Sequence, residues 1–319
     1  MNSDVPVGSL RLPKFDVRQA RAFLFVAEEL HFGRAAARLY TSQPALSRTI
    51  HALEEAVGVA LLERSTRRVR LTAAGEVFAG ECRLALGHLE RATVAAKDAA
   101  EGRVGRIRIG YMDFAINGRL PLLLQGFRSK YPRDVLDLEY NPTAKQRTAL
   151  LEGRIDVGFV IGEFESPKML NLLVEQNDYV ALLPDAHPLV SRRTLRLTDL
   201  AEEPFVLGSE DAFSTFRRLL FPVCHAAGFF PNVVQQASNS HGIFGMVAAG
   251  VGVSVYAGCA RNIRRVGVTV KPLADVSDVI PTFATWAADH PSEVLQRFKD
   301  FLLGHARLGP SAVATRRGN

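Results

Sequence analysis

The feature of this sequence that most constrains its fold is a change of hydrophobic period just after residue 102. Up to that point apolar residues recur every three or four positions, as on one face of an α-helix. Beyond it, β-branched runs of five to seven residues alternate with helical ones. One core cannot serve both patterns, and 319 residues exceed the length at which a single core stops growing. A helical N-terminal part and an α/β C-terminal part are therefore expected. Composition enters by exclusion: 47% hydrophobic and 23% charged residues rule out a disordered or fibrous chain. No segment supplies the roughly 18 apolar residues of a membrane helix, and the opening MNSDVPVGSLRLPKFD lacks a signal-peptide core. Cys82, Cys224 and Cys259 show neither CxxC spacing nor a zinc-like His grouping. The expectation is a cytoplasmic chain with no membrane contact, no metal and no cofactor.

In the first hundred residues Asp16 and Gln19 suit a helix start, and Ala20, Phe23, Ala27 and Leu30 follow at helical spacing. A short second helix, FGRAAARLY, follows His31 and stops at Thr41-Ser42, residues suited to cap a third. That third helix opens on Gln43-Pro44, carries Leu46, Ile50, Leu53 and Val57 on one stripe and closes at Gly58. Gln43, Pro44, Ser47, Arg48 and His51 form a second, polar stripe. It holds an amide able to pair with adenine and a guanidinium able to pair with guanine, near the amino end of a helix. A helix-turn-helix fits, and so does a helical hairpin with a solvated side. Leu61-Leu62-Glu63 and Val69-Arg70-Leu71 then read as two strands around Arg64, Arg67 and Arg68, a wing. Residues 34 to 72 hold seven arginines against three glutamates, a net of +4, whereas residues 1 to 101 sum to only +2. Basic charge concentrated beside such a helix points to a polyanion with a phosphate backbone.

The segment FLFVAEELHFGRAAARLYTSQPALSRTIHALEEAVGVALLERSTRRVRLTAAG closely resembles the DNA-binding domain of LysR-type transcriptional regulators. SQPALSR, LE, a glycine, LLER and VRLTAAG follow in order and spacing over residues 15 to 75. The resemblance implies a winged helix-turn-helix over 15–72 acting on double-stranded promoter DNA. It implies that Thr41 and Ser42 meet phosphate, and that Gln43, Pro44, Ser47 and Arg48 approach bases. His51 shares their stripe, and Arg64, Arg67 and Arg68 would lie along the minor groove. Residues 73–102 read as one helix on which Val77, Cys82, Leu84, Leu89 and Val94 spread over a broad face. Packing on its own domain and pairing with a second copy both suit that face. The resemblance implies pairing into a homodimer, with a homotetramer as the further assembly and RNA polymerase as a partner if the protein activates.

Beyond residue 103 the strand runs are IRIGY, VLDLEY, IDVGFV, YVALLP, PFVLG, NVVQQA, VGVSVYA and TFATWAA, with helical segments between many of them. The alternation predicts parallel sheets with helices on both faces. Their order divides residues 103–306 into one lobe of 103–176 and 281–306 and another of 177–280, with tails at 1–14 and 307–319. LLEGRIDVGFV and MVAAGVGVSVY resemble the effector-binding part of the same family, which is similar in fold to periplasmic solute-binding proteins. The resemblance implies a small-molecule effector between the lobes, where strands end and helices begin.

The candidates at those junctions are Phe114 and Asn117, then Thr143 and Gln146, then Ser209, Phe213 and Ser214, and finally Ser238, Asn239, Ser240 and His241. Phe114 stands where many relatives carry Ser or Thr, so the expected effector is aromatic as much as anionic. Thr143, and the Ser and Asn residues, serve equally well as helix caps. An enzyme finds no support. Cys224 and His225 are helix neighbours pointing about 100° apart, and Gly250-Val251-Gly252 lacks the third glycine of a dinucleotide fingerprint. The expected function is sequence-specific, effector-modulated transcriptional regulation.

Overall fold

In the computed structural model, residues 13–64, 68–100, 105–289 and 292–306 are described, and the chain divides into two compact units at residue 94. In the first unit, α1 (Val17–Glu29) opens with a reciprocal capping box between Asp16 and Gln19. The helical stripe of Ala20, Phe23 and Ala27 is buried, but Leu30 is not part of it. Leu30 is the left-handed C-cap, with φ 46°, and is exposed. α2 (Phe32–Arg38) is capped by the His31 imidazole, whose Nδ1 accepts from Gly33 and Arg34. α3 (Gln43–Val57) is capped by Ser42, takes Pro44 in its first turn and ends at Gly58 with φ 83°. Leu46, Ile50 and Leu53 on α3 complete a core with Phe23, Val26 and Ala35. β1 (Leu62–Arg64) and β2 (Val69–Leu71) pair antiparallel. α4 (Ala73–Ala100) is one continuous helix, and its first turns join the same core through Phe78, Ala79 and Cys82. Gly75 is required there: a Cβ would fall 2.0 Å from the Leu61 carbonyl oxygen.

The second unit is α/β. One sheet runs β4 (Asp134–Tyr140), β3 (Gly105–Tyr111), β5 (Val157–Ile161), β12 (Ile280–Ala287) and β6 (Met169–Asn177). Helices α5 (Asp113–Asn117), α6 (Leu120–Lys130), α7 (Thr143–Leu151) and α10 (Glu293–Ala306) accompany it. The other lobe holds β7 (Tyr179–Pro184), β8 (Pro204–Gly208), α8 (Glu210–Ala226), β9 (Asn232–Ala237), α9 (Ser240–Ala248), β10 (Ser254–Ala257) and β11 (Val268–Pro272). An isolated bridge from Phe205 to Val253 ties its β8–β9 pair to the neck of β10.

The expectation of parallel sheets needs correction. β3 is parallel to β4 and β5, and β8 to β9, but β12 is antiparallel to β5 and β6, and β7 to β10 and β11. The reversal arises because the chain crosses to the second lobe after β6 and returns as β12, entering the first sheet from the other end. Two strands, β6 and β11, were not expected. Both lie at sheet edges with a single strand partner, so MLNLLVEQN and VTVKP are only partly buried and carry little of the apolar run that marks a central strand. Among the described residues no helix is long and apolar enough to cross a membrane, and no three His, Cys, Asp or Glu are grouped to hold a metal.

Candidate functional site

On α3 the buried stripe fixes which way the polar one faces. Gln43, Pro44, Arg48 and His51 are exposed and Ser47 is half-buried. Thr41 and Ser42 are exposed in the turn before it, where the Ser42 hydroxyl accepts from the Ala45 N–H at 3.4 Å. His51 lies 3.5 Å from Glu55 one turn on. Arg48 is exposed and has no ion pair with a described residue.

The other arginines of this basic region divide by partner. Arg34 bonds to Glu29, while Arg38 bridges Glu28 and Glu29 and lies over the Phe25 ring. These bonds, Arg34's first, hold the Glu29 carboxyl below its usual range. Arg64, expected along the minor groove, is engaged internally. Its Nη2 is 2.5 Å from Glu54, its guanidinium stacks 5.2 Å from the Phe32 ring centre, and the same Glu54 carboxylate accepts the Leu61 and Leu62 N–H groups at 2.9 and 3.0 Å. Glu54 thus clamps the wing to α3, a role that sequence reasoning missed because the partners are seven to ten residues away. Arg68 and Arg70 are exposed; Arg67 lies outside the described residues.

In the second unit the strand-end residues converge between the lobes. Asp113, at the first position of α5, is 8% exposed, and its carboxylate accepts from the Tyr140 hydroxyl and from both the backbone N–H and the hydroxyl of Ser240. Because the Ser240 proton goes to Asp113, the Tyr256 hydroxyl donates to Ser240, at 2.5 Å. One buried carboxylate therefore joins residues 127 positions apart through neutral donors. Burial, then the bond and charge of Asp113, raise the Tyr140 phenol, and burial raises Tyr256.

Phe114 follows Asp113 into the other lobe. Its ring packs edge-on against Phe216 and Tyr256 at 5.0 and 4.7 Å, and is tilted to Phe213 at 6.2 Å. A small cavity lies among Asp113, Phe114, Thr143, Phe213, Thr215 and Phe216, and only about 10 Å³ of it is open to the centre of a water molecule, room for one water at most. Phe213 has non-helical φ/ψ (−122°, 18°) inside the first turn of α8 and lies directly over Gly208.

The remaining candidates divide sharply. Thr143 is buried on the cavity wall; the N-cap position belongs to Pro142, and the Thr143 hydroxyl instead accepts from the Ile161 N–H at 3.1 Å. Gln146 is fully buried, its amide donating to the Asn141 and Phe159 carbonyls at 2.7 and 3.1 Å, and its Oε1 has no partner. Asn117 donates back to the Asp113 carbonyl, and its own carbonyl accepts from the Asn262 amide. Ser209 stands at the N-cap position of α8 without a side-chain cap, and Ser214 is half-buried away from the cavity lining. Asn239 caps α9 through the Gly242 N–H, and Ser238 and His241 are exposed. The cysteines are buried: the Cys224 thiol is pushed up to about 12, and Cys82 and Cys259 are raised by the same cause.

Two family profiles cover the chain. Residues 17–76 match "Bacterial regulatory helix-turn-helix protein, lysR family", and residues 100–307 match "LysR substrate binding domain". A curated relative, the HTH-type transcriptional regulator AlsR of Bacillus subtilis (strain 168), is 33% identical over 89% of this chain and 94% of its own length. Among solved structures, CbnR, a LysR family transcriptional regulator, superposes with a TM-score of 0.66 at 26% identity, covering 92% of this chain and all of that one. Full-length CbnR complexed with its target DNA superposes at 0.57 and 27% identity, with the same coverage.

Proposed function

The chain belongs to the LysR family of bacterial helix-turn-helix regulators, a DNA-binding transcriptional regulator with an effector-binding domain and not an enzyme, and on that premise we propose how its residues divide the work. Gln43 and Arg48 read base edges in the major groove, Ser47 supports them, and Thr41 and Ser42 meet phosphate. Arg68 and Arg70 supply wing contacts. The observation that carries this reading is the exposed polar stripe of α3, set on a helix whose opposite face is locked in the core and whose arginine has no ion pair with a described residue. Backbone contacts of this kind set affinity, and the base-facing pair sets sequence preference.

The effector occupies the cleft between the lobes, against Phe114, Thr143 and Phe213. Its admission displaces Phe213, whose irregular backbone lets the ring leave Gly208, and loosens or tightens the Asp113–Ser240 bridge. Such a bridge has two discrete states and can bias DNA binding; a coupling of about 1–3 kcal/mol changes affinity by one to two decades. A second copy pairs along α4, where Val77 and Leu89 are 69% and 52% exposed, so that two recognition helices meet two half-sites.

The test is genome-wide selection of DNA fragments by the purified protein at physiological salt, with Gln43→Ala/Arg48→Ala alongside. Enrichment of a few dyad-symmetric sites, lost in the variant, supports the reading. Salt-sensitive retention of any sequence, identical in the two proteins, would reduce the helix to a basic surface.

A further inference from the structure

Helices α2, α7, α8 and α9 end in one and the same way. The residue after the C-cap is left-handed, and its N–H and the next one turn back to close two of the last carbonyls. In α8 the bonds run from Gly228 to the His225 carbonyl at 2.9 Å and from Phe229 to Cys224 at 3.1 Å; in α2 they run from Tyr40 to Ala37 at 3.2 Å and from Thr41 to Ala36 at 3.0 Å. The left-handed residue is a glycine in α7, α8 and α9, with φ of 64°, 90° and 73° at Gly153, Gly228 and Gly250. In α2 it is Tyr40, with φ 52°. A Cβ in this conformation crowds the following carbonyl oxygen, which is why glycine is the ordinary choice there.

Nothing in the packing offsets that strain. Tyr40 is 99% exposed and makes no hydrogen bond or ring contact with a described residue. The other non-glycine residue with positive φ among the described ones, Leu30, is 46% exposed, so about half of its surface is covered. The chain therefore uses the unstrained residue at three helix ends and departs from it at the fourth, with a bare aromatic. That fourth end is the turn that leads through Thr41 and Ser42 into α3. Strain kept where the fold gains nothing from it indicates a use outside the fold. The place narrows that use, because a tyrosine beside a recognition helix offers one uncharged O–H donor and an apolar ring, groups that suit a phosphate oxygen and the sugar next to it.

We propose that Tyr40 is a further DNA contact of the helix-turn-helix, its hydroxyl donating to a backbone phosphate beside α3, and that tyrosine is kept in the turn at the expense of stability. This rests on the reading of α3 as the recognition helix. The contact is indifferent to base sequence, and because the phenol carries no charge it displaces no counterion.

The experiment uses the full-length protein with Tyr40→Gly, Tyr40→Phe and, as reference, Arg48→Ala. Affinities are measured on a selected genomic site and on a random duplex over a range of salt. Tyr40→Gly should melt a few degrees higher than wild type by helical circular dichroism, and Tyr40→Phe, which keeps the strain, should melt as wild type does. Both should bind both DNAs about tenfold more weakly, as for one lost hydrogen bond to a charged acceptor, with the salt slope unchanged. Replacing single phosphates of the site by methylphosphonate separates contact from turn geometry. At one phosphate of each half-site wild type should lose affinity and Tyr40→Phe should lose several-fold less, whereas a turn merely altered by substitution would single out no phosphate. Wild-type affinity of both variants on both DNAs would overturn the proposal, and if Arg48→Ala still loses the selected site, the reading of α3 survives it. Loss by Tyr40→Gly with full affinity in Tyr40→Phe would overturn the hydroxyl's role. A loss confined to the selected site would overturn the assignment to phosphate, and a lower melting temperature for Tyr40→Gly would remove the strain from which the contact is inferred.

Discussion

Gln43 and Arg48 stand exposed on α3, whereas Thr143, Gln146 and Ser240, at the strand ends of the second unit, are buried and already hydrogen-bonded within the chain. The same kinds of side chain are presented in one region and consumed in the other. A surface that reads a large, rigid polyanion can leave its donors in water, where waiting costs nothing. A cleft that closes over a small molecule cannot, because each buried polar group must find a partner whether or not the ligand is present. Asp113 with its three neutral donors is the outcome: the lobes satisfy one another across the space that a ligand would use.

The sharpest test of that contrast is at its exposed end. Arg48→Ala should lower affinity for a selected site by about 1–3 kcal/mol, up to two decades, and affinity for random DNA much less. Electrophoretic titration on both DNAs measures the difference. Equal losses would mean that α3 presents charge without reading bases.

The buried end comes next. Asp113→Ala strands the Ser240 N–H, the Ser240 hydroxyl and the Tyr140 hydroxyl, and should destabilise the second unit by about 2–3 kcal/mol, as for hydrogen bonds to a charged acceptor. The single tryptophan, Trp286, is in β12 of that unit, so urea unfolding followed by its fluorescence reports the right half of the molecule. A loss below a few tenths of a kcal/mol would show that water replaces the bridge freely.

These two regions also differ in how much of them the sequence discloses. The recognition face is legible because one helix holds both stripes: the apolar period of Leu46, Ile50 and Leu53 fixes where Gln43 and Arg48 point. The cleft is not, since Asp113, Tyr140, Ser240 and Tyr256 meet only after two lobes have closed, and no local period links positions that far apart. Strand-to-helix junctions do mark the neighbourhood, which is how Phe114, Thr143 and Phe213 are found on the cavity wall. Their detailed use is decided by the packing, as Thr143 demonstrates by bonding to β5 rather than capping its own helix. The edge strands β6 and β11 escape for a related reason: a strand with one partner needs no continuous apolar run.

The wing sharpens the comparison inside the first unit, because it contains an arginine of each kind. Arg64 is consumed by Glu54 and Phe32, and Arg70 is exposed without an ion pair to a described residue. Arg70→Ala should reduce the slope of log affinity against log salt by about 0.9, the signature of one lost phosphate contact. Arg64→Ala should leave the slope unchanged and cost about 1 kcal/mol of stability, and Glu54→Gln should reproduce it. A slope change for Arg64→Ala equal to that of Arg70→Ala would return Arg64 to the DNA contacts.

The smallest effect expected is on the acid side of stability. Glu29 is held below the ordinary carboxylate range by Arg34 and Arg38, and Asp178, in the crossing between β6 and β7, is held below it by the two bonds from Arg261. A carboxylate whose folded value is depressed contributes stability that is fully present above its unfolded value, near pH 4. That contribution fades as pH falls through the folded value, because the unfolded chain takes up the proton first. Both pairs face solvent and are screened, so each contribution is small. Melting curves taken from pH 7 down to 3 should therefore show a shallower acid decline for Glu29→Gln and for Asp178→Asn than for wild type, with lower stability than wild type at neutral pH. Since Trp286 reports the second unit, the flattening in Asp178→Asn should be seen by fluorescence, and that in Glu29→Gln by helical circular dichroism. Identical curves by both probes in both variants would mean that the two units unfold as one, and that the division between an open surface and a self-satisfied cleft does not extend to their stability.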